Sequence, residues 1–250
     1  MIIRHPVENN QSYTALALNY ILPKFFAPLW NNARTRVCAD GGANRVFDFG
    51  KTNKVDLKPP HCVVGDLDSL SPKVKDHYAK MKTSFVQIAN QDFNDIEKSL
   101  SIITKNGITD PVLLFGAWGG RFDHTISALH STLECKDLRI YILDDDNFAT
   151  WIFPGDAGIY CPQKWTTKMC GLLPVAMPVE HIKTEGLKWD IDFGLKMGDF
   201  ISSSNEIAEG RDFIKISTSQ PIFWTNETKK YEDLPIPKDT VKDEINKIHL

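Results

Sequence analysis

Along the first 150 positions, short apolar runs alternate with stretches of helical spacing. Residues 14–22 read as a buried strand, and Pro23 opens a helical pattern through Phe25, Phe26, Leu29 and Trp30. Residues 36–40, 62–65, 85–89, 111–115 and 138–143 are five further strands. Between them, Ser71 caps a helix with Pro72 in its first turn and Val74, Tyr78 and Met81 at helical spacing. Ile96, Leu100 and Ile103 mark a second amphipathic helix, closed by Asn106-Gly107, and Ile126, Leu129 and Leu133 mark a third. Asp92 and Asp95 flank the start of the second, so one of them is expected to cap it. This alternation predicts an α/β domain over residues 1–150, with a mostly parallel sheet flanked by helices.

The pattern changes near Phe153-Pro154-Gly155. Beyond it lie short strand-like runs at residues 171–175, 186–189, 200–202 and 213–216, separated by turn signals and without a convincing helix. Residues 151–226 are therefore expected to form a smaller all-β sandwich domain, with Trp189 and Trp224 as core or interface residues. Residues 227–250 are rich in Lys, Glu, Asp and Pro and read as a polar C-terminal tail.

Composition narrows the function classes. At 42% hydrophobic and 24% charged, the 250-residue chain is an ordinary globular sequence. A net charge of −3 supplies no broad basic field, which argues against an obligate nucleic-acid binder. Five cysteines without paired spacing suggest neither a disulfide framework nor a zinc site. No run approaches the roughly 20 apolar residues needed to cross a bilayer, so no membrane role and a cytoplasmic location are expected.

Chemistry gathers where the strands end. Asp66 and Asp68 follow the third strand one residue apart, so an extended segment points both carboxylates the same way, toward one hard cation such as Mg²⁺. The same residues also suit a plain turn before Pro72. Asp40-Gly41-Gly42-Ala43-Asn44-Arg45 is a strand-to-helix turn whose glycines admit close approach of a ligand. Gln91-Asp92-Phe93-Asn94-Asp95 repeats the acidic pattern after another strand. The run from Gly116 to His124, with Gly119, Gly120 and Arg121, offers bare amides and a guanidinium suited to a phosphate chain, although a glycine turn with a surface Arg–Asp pair is also possible. In open α/β sheets ligands bind at the strand ends, where these clusters fall.

Together these motifs, with Gly186-Leu187-Lys188-Trp189 and Ser202-Ser203-Ser204-Asn205, resemble the eukaryotic thiamine pyrophosphokinases, in order, over roughly residues 14–225. The resemblance implies Mg²⁺-dependent transfer of pyrophosphate from ATP to the hydroxyl of thiamine, giving thiamine diphosphate and AMP. It also implies a homodimer whose active site lies between the α/β domain of one subunit and the β domain of the other. It places Asp66, Asp68 and Asp95 at the metal and catalytic positions together with Arg121. Asp40, Gly41, Gly42, Asn44, Arg45, Gly119, Gly120, Arg121, Asp123 and His124 fall around ATP, and Gln91, Asp95, Ser202, Ser204 and Asn205 around thiamine. A metal-dependent nucleotide-sugar transferase is the enzymatic rival, and a non-catalytic nucleotide- or thiamine-sensing module the rival of another class.

Overall fold

The computed structural model describes residues 2–4, 11–161 and 164–229, so most of the stretch read as a tail lies outside the described residues. The chain divides into two compact units, one holding the described residues of 11–144 and the other residues 2–4 and those described from 145 on. Strand β1 (Ile2–Arg4) opens the chain and belongs to the latter.

The α/β unit runs β2 (Thr14–Ala17), α1 (Phe26–Asn32), β3 (Thr35–Ala39), α2 (Gly42–Asn53), β4 (Cys62–Gly65), α3 (Pro72–Lys80), β5 (Ser84–Gln87), α4 (Asp95–Lys105), β6 (Val112–Phe115), α5 (Phe122–Glu134) and β7 (Ile140–Leu143). Its six strands lie in the order β7-β6-β2-β3-β4-β5, and every adjacent pair is parallel. Strands β4 and β6 are continuous apolar runs, as expected of strands buried on both faces; in β6 all four residues are fully buried. From β2 the chain builds outward through β3, β4 and β5, then returns to the other side of β2 for β6 and β7. The loops after β2 and β6 therefore leave in opposite directions and open a crevice at the carboxyl ends of the strands, which is where ligands enter such sheets.

Three local expectations are corrected. Strand β2 stops at Ala17, four residues long, so Asn19 and Tyr20 lie on a loop instead of inside a strand through residue 22. Met81 is the residue that follows α3, and it is exposed. The cap of α4 is neither Asp92 nor Asp95 but Asn94. Its Oδ1 accepts from the Glu97 amide at 3.0 Å while Glu97 Oε2 accepts from the Asn94 amide at 3.0 Å, a reciprocal capping box.

Asn94 also decides how α5 packs. Its Nδ2 donates to Ser127 Oγ at 3.2 Å and Ser131 Oγ at 2.7 Å, and Ser131 Oγ donates to Glu97 Oε1 at 3.3 Å. The buried side of α5 is consequently Ala128, Ser131 and Thr132, while Ile126, expected inside, is 47% exposed. A cap that must also satisfy hydroxyls on a neighbouring helix outweighs a stripe of larger apolar side chains.

The second unit is a β-sandwich. Its strands are β1, β8 (Asn147–Ile152), β9 (Gly155–Tyr160), β10 (Thr166–Leu173), β11 (Val179–Glu185), β12 (Asp192–Leu195), β13 (Ser202–Glu206), β14 (Phe213–Thr218) and β15 (Ile222–Thr228). One sheet has the order β1-β9-β14-β11-β12 and the other contains β13-β10-β15-β8. Trp224 of β15 is fully buried, whereas Trp189 is exposed with Lys188 Nζ 4.4 Å from its ring centroid. Residues 186–189 form a turn joined by an isolated bridge from Leu187 to Ile207, not a strand, and the serine-rich 202–205 segment is itself most of β13.

Replacing Asn94 with Ala removes both the cap and the partner of two hydroxyls. Urea unfolding of Asn94→Ala should show a loss of about 1–2 kcal/mol or more, whereas Asp92→Ala should stay within about 0.5 kcal/mol of the parent. Equal losses in the two variants would remove Asn94 from its place at the helix start.

Candidate active site

The site is assembled from chain reversals at the carboxyl edge of the parallel sheet. Strand β3 delivers Asp40, whose backbone takes the left-handed conformation at φ 41°, tolerated by aspartate, and whose amide donates to the Val64 carbonyl at 2.8 Å. The neighbouring β4 ends at Gly65. A side chain there would lie 2.7 Å from Asp40 Cβ and 3.2 Å from Asp95 Oδ1, so only glycine lets the two acidic turns close on one another.

Asp66 and Asp68 follow at once. Ligand oxygens of Asp40, Asp66 and Asp68 all lie within 4.8 Å of one another, a spacing that suits one cation. The loop is fixed by its own hydrogen bonds: Asp66 Oδ1 accepts from the Asp68 amide at 3.2 Å, and Asp68 Oδ1 accepts from Ser69 Oγ at 2.9 Å. Asn44 clamps the same loop to α2, donating to the Ser69 carbonyl at 2.7 Å and accepting from the Ser71 amide at 3.0 Å. Gln91 Nε2 reaches Asp66 Oδ2 at 3.0 Å, and Gln87 Nε2 reaches the Asp66 carbonyl at 3.0 Å.

Asp95 is the first residue of α4, and because Asn94 does the capping its carboxylate is left beside this cluster. Its Oδ1 accepts from Lys98 Nζ at 3.4 Å. Lys98 is itself almost entirely buried, at 4% exposure. Burial pushes the carboxyl of Asp95 above the ordinary carboxylate range, against the opposing pull of Lys98. Asp40 is raised for the same reason, burial, while the Gln91 amide does most to hold Asp66 below that range. Oδ2 of Asp40 accepts from the Ser69 amide at 3.2 Å, but its buried Oδ1 has no hydrogen-bond partner.

On the other side of β2 the glycine loop follows β6. Gly119 and Gly120 sit at φ +89° and +66°, and the ring of Tyr20 lies so close to both that a side chain at either would come within 2.8 Å of it. The adjacent Asn19 accepts from Arg45 Nε at 2.9 Å, and its amide occupies the space over Gly41. Gly42 passes against the Ala17 carbonyl. A continuous line of contacts thus runs from Gly120 through Tyr20 and Asn19 to Gly41 and Asp40. The closeness of these turns is therefore used by the protein's own β2 loop, where the sequence suggested approach of a ligand.

Arg121 is exposed and forks onto Asp123, Nε to Oδ1 at 3.1 Å and Nη2 to Oδ2 at 2.5 Å. That pairing draws the Asp123 carboxyl below its usual value. His124 is exposed in the first turn of α5. Ser202, Ser204 and Asn205 belong to the sandwich unit. Asn205 and Ser202 are buried there, with Asn205 Nδ2 donating to the Trp189 carbonyl at 2.8 Å and Ser202 Oγ at 3.1 Å, while Ser204 is exposed. The structure brings Asp40, Asp66, Asp68, Asp95 and Gln91 together, and it adds Asn19, Tyr20 and Lys98, which were not singled out in the sequence. A polar pair interrupting the apolar run before Pro23 was the available signal for the first two; for Lys98 it was its place three residues after Asp95.

Comparison with known proteins adds the family. Residues 26–143 match the family described as thiamin pyrophosphokinase, catalytic domain, and residues 158–223 match its vitamin B1 binding domain. Thiamine pyrophosphokinase 1 of Oryza sativa subsp. japonica is 34% identical over 231 residues, 86% of each chain. Thiamin pyrophosphokinase 1 of Caenorhabditis elegans is 31% identical over 76% of this chain and 79% of that protein. In fold, the chain resembles the thiamin pyrophosphokinase from Candida albicans with a TM-score of 0.78 at 22% identity, covering 91% of this chain and 93% of that one. The yeast thiamin pyrophosphokinase structure gives 0.77 at 24% identity and 91% of each. With both family domains matched in order and more than 30% identity over most of the chain, this protein belongs to the thiamine pyrophosphokinase family.

Proposed function

We infer that the chain transfers a pyrophosphoryl group from ATP to the hydroxyethyl oxygen of thiamine, releasing AMP and thiamine diphosphate. The observation that carries this reading is the carboxylate cluster at the ends of β3 and β4, with a glycine–arginine loop after β6 at the same carboxyl edge of the sheet, in a fold that both family domains match. Attack by the thiamine hydroxyl at the β-phosphorus, in line with departing AMP, needs positioning and charge neutralisation more than a strong base.

A hard divalent ion fits the donor set. Asp66 and Asp68 supply carboxylate oxygens, Asp40 Oδ1 is buried without a partner, and Asp95 stands alongside. Bound there, Mg²⁺ would supply Lewis-acid neutralisation of the polyphosphate. Asp66 and Asp68, with Asp95, are the residues proposed to hold it, joined by Asp40. Asp95 also orients the hydroxyl or accepts its proton and favours the positive thiazolium. The amides of Gly119 and Gly120 and the Arg121 guanidinium absorb charge on the migrating group, for which Arg121 must loosen its hold on Asp123. Asp40, Gly41, Gly42, Asn44, Arg45, Asp123 and His124 surround the nucleotide; Gln91, Ser202, Ser204 and Asn205 surround thiamine. The resemblance further supports a cytoplasmic homodimer that shares its active sites. Among the described residues, no helix is long and apolar enough to cross a membrane.

Incubation with ATP, Mg²⁺ and thiamine should yield AMP and thiamine diphosphate in equal amounts on chromatography; ADP as coproduct would overturn the reaction assigned. Asp66→Asn and Asp68→Asn should each lower turnover by about 10²–10³-fold or more, the scale of losing one stabiliser of transition-state charge. Asp40 gives a separate check without turnover. Because its carboxyl is raised in the folded state, ionised Asp40 destabilises the metal-free protein at neutral pH, and this cost fades as pH falls through its folded value toward the unfolded one. Asp40→Asn should therefore melt above the parent at pH 7 without divalent ions, the gap narrowing toward mildly acid pH, and Mg²⁺ should raise the melting temperature of the parent more than that of the variant.

A further inference from the structure

Lys98 is a buried ammonium that the reaction as written does not use. It lies in the first turn of α4 with only 3% of its side chain exposed, and its Nζ is 3.4 Å from Asp95 Oδ1. It is close enough to act electrostatically on Asp66 as well as Asp95. Removing a lysine from water is costly unless charge compensates it, so its place here requires the carboxylates around it. The converse matters more. Asp40, Asp66, Asp68 and Asp95 bring four negative groups to one edge of the sheet, and Lys98 is the fixed positive charge set among them.

We propose that Lys98 is a positioning residue that serves as the built-in counter-ion of this cluster: it holds the Asp95 carboxylate toward Gly65 and takes the place of a second divalent ion, so that the free enzyme seats one. Asp95 and Lys98 stand three residues apart on one helix face, a spacing that brings their side chains together, and the carboxylate contacts the Gly65 position while the ammonium approaches from the buried side. An ammonium fixed there costs the site cation affinity through repulsion, and in return the empty site can persist in the folded protein without collapsing or spreading its carboxylates. The inference rests on the assignment of the carboxylates as a metal seat.

Titration of the nucleotide-free protein with Mn²⁺ alone, followed by calorimetry and by the paramagnetic resonance signal of free Mn²⁺, tests it. The parent should bind one ion per chain. Lys98→Met keeps the apolar stem and removes the charge, so it should bind Mn²⁺ more tightly, on the order of tenfold for one unit charge at this range, or admit a second ion, while its turnover with ATP and thiamine falls. A structural role for the stem alone would leave Mn²⁺ affinity unchanged in Lys98→Met, and that result, in protein of native circular dichroism, overturns the proposal. Two ions bound to the parent, a measurement that needs no variant to fold, also overturns it. If the parent forms AMP and thiamine diphosphate while either of these results is found, the role of Lys98 fails and the reaction stands; a parent that binds no Mn²⁺ removes the metal seat itself.

Discussion

Mutual repulsion among carboxylates is the constraint around which the α/β unit is arranged. Asp40, Asp66, Asp68 and Asp95 would separate if left to themselves, yet a glycine at the end of β4 lets two of their turns meet and hydrogen bonds from Ser69, Gln91 and the Asp68 amide hold the oxygens inward. Burial adds its own cost, visible in the raised carboxyls of Asp40 and Asp95, to which the neighbouring aspartates contribute less, and in the unpartnered Oδ1 of Asp40. A positive charge placed among these oxygens would relieve that cost.

Parallel pairing makes this arrangement possible. Each of the six parallel strands delivers its carboxyl end to the same edge, so residues far apart in sequence become neighbours without any long connection across the surface. The reversal of strand order around β2 then puts its loop between the acidic turns on one side and the glycine loop on the other. Tyr20 and Asn19 are the spacers of that junction, filling the room that Gly119, Gly120 and Gly41 leave. The glycines thus have a packing reason that stands whether or not a phosphate chain also uses their amides.

Helix α5 shows how a polar requirement can override an apolar one. Its Ser127 and Ser131 turn toward Asn94, Ser131 also reaches Glu97, and Phe122 and Ile126 are left facing out. Leaving the half-buried Asn94 amide and the buried Ser131 hydroxyl without partners would cost more than two exposed apolar side chains, so the helix is oriented by its hydroxyls. The same network releases Asp95 from capping duty, which links the packing of two helices to the chemistry at the sheet edge.

Sequence alone determined the alternation of strands and helices, the acidic and glycine-rich turns after the strands, and the motif set that marks the family, because these are local: periodicity, turn chemistry and spacing are written in consecutive residues. Asp66 and Asp68 needed no tertiary knowledge to be suspected. Only the tertiary structure decided that Asp40 joins them, that Asn94 bonds the serines of α5, that residues 202–206 are a strand, and that Lys98 lies buried beside Asp95. Each depends on partners 16 or more residues away or on how far a side chain is removed from water. Burial and long-range pairing are properties of the assembled chain, and no single stretch of it carries them.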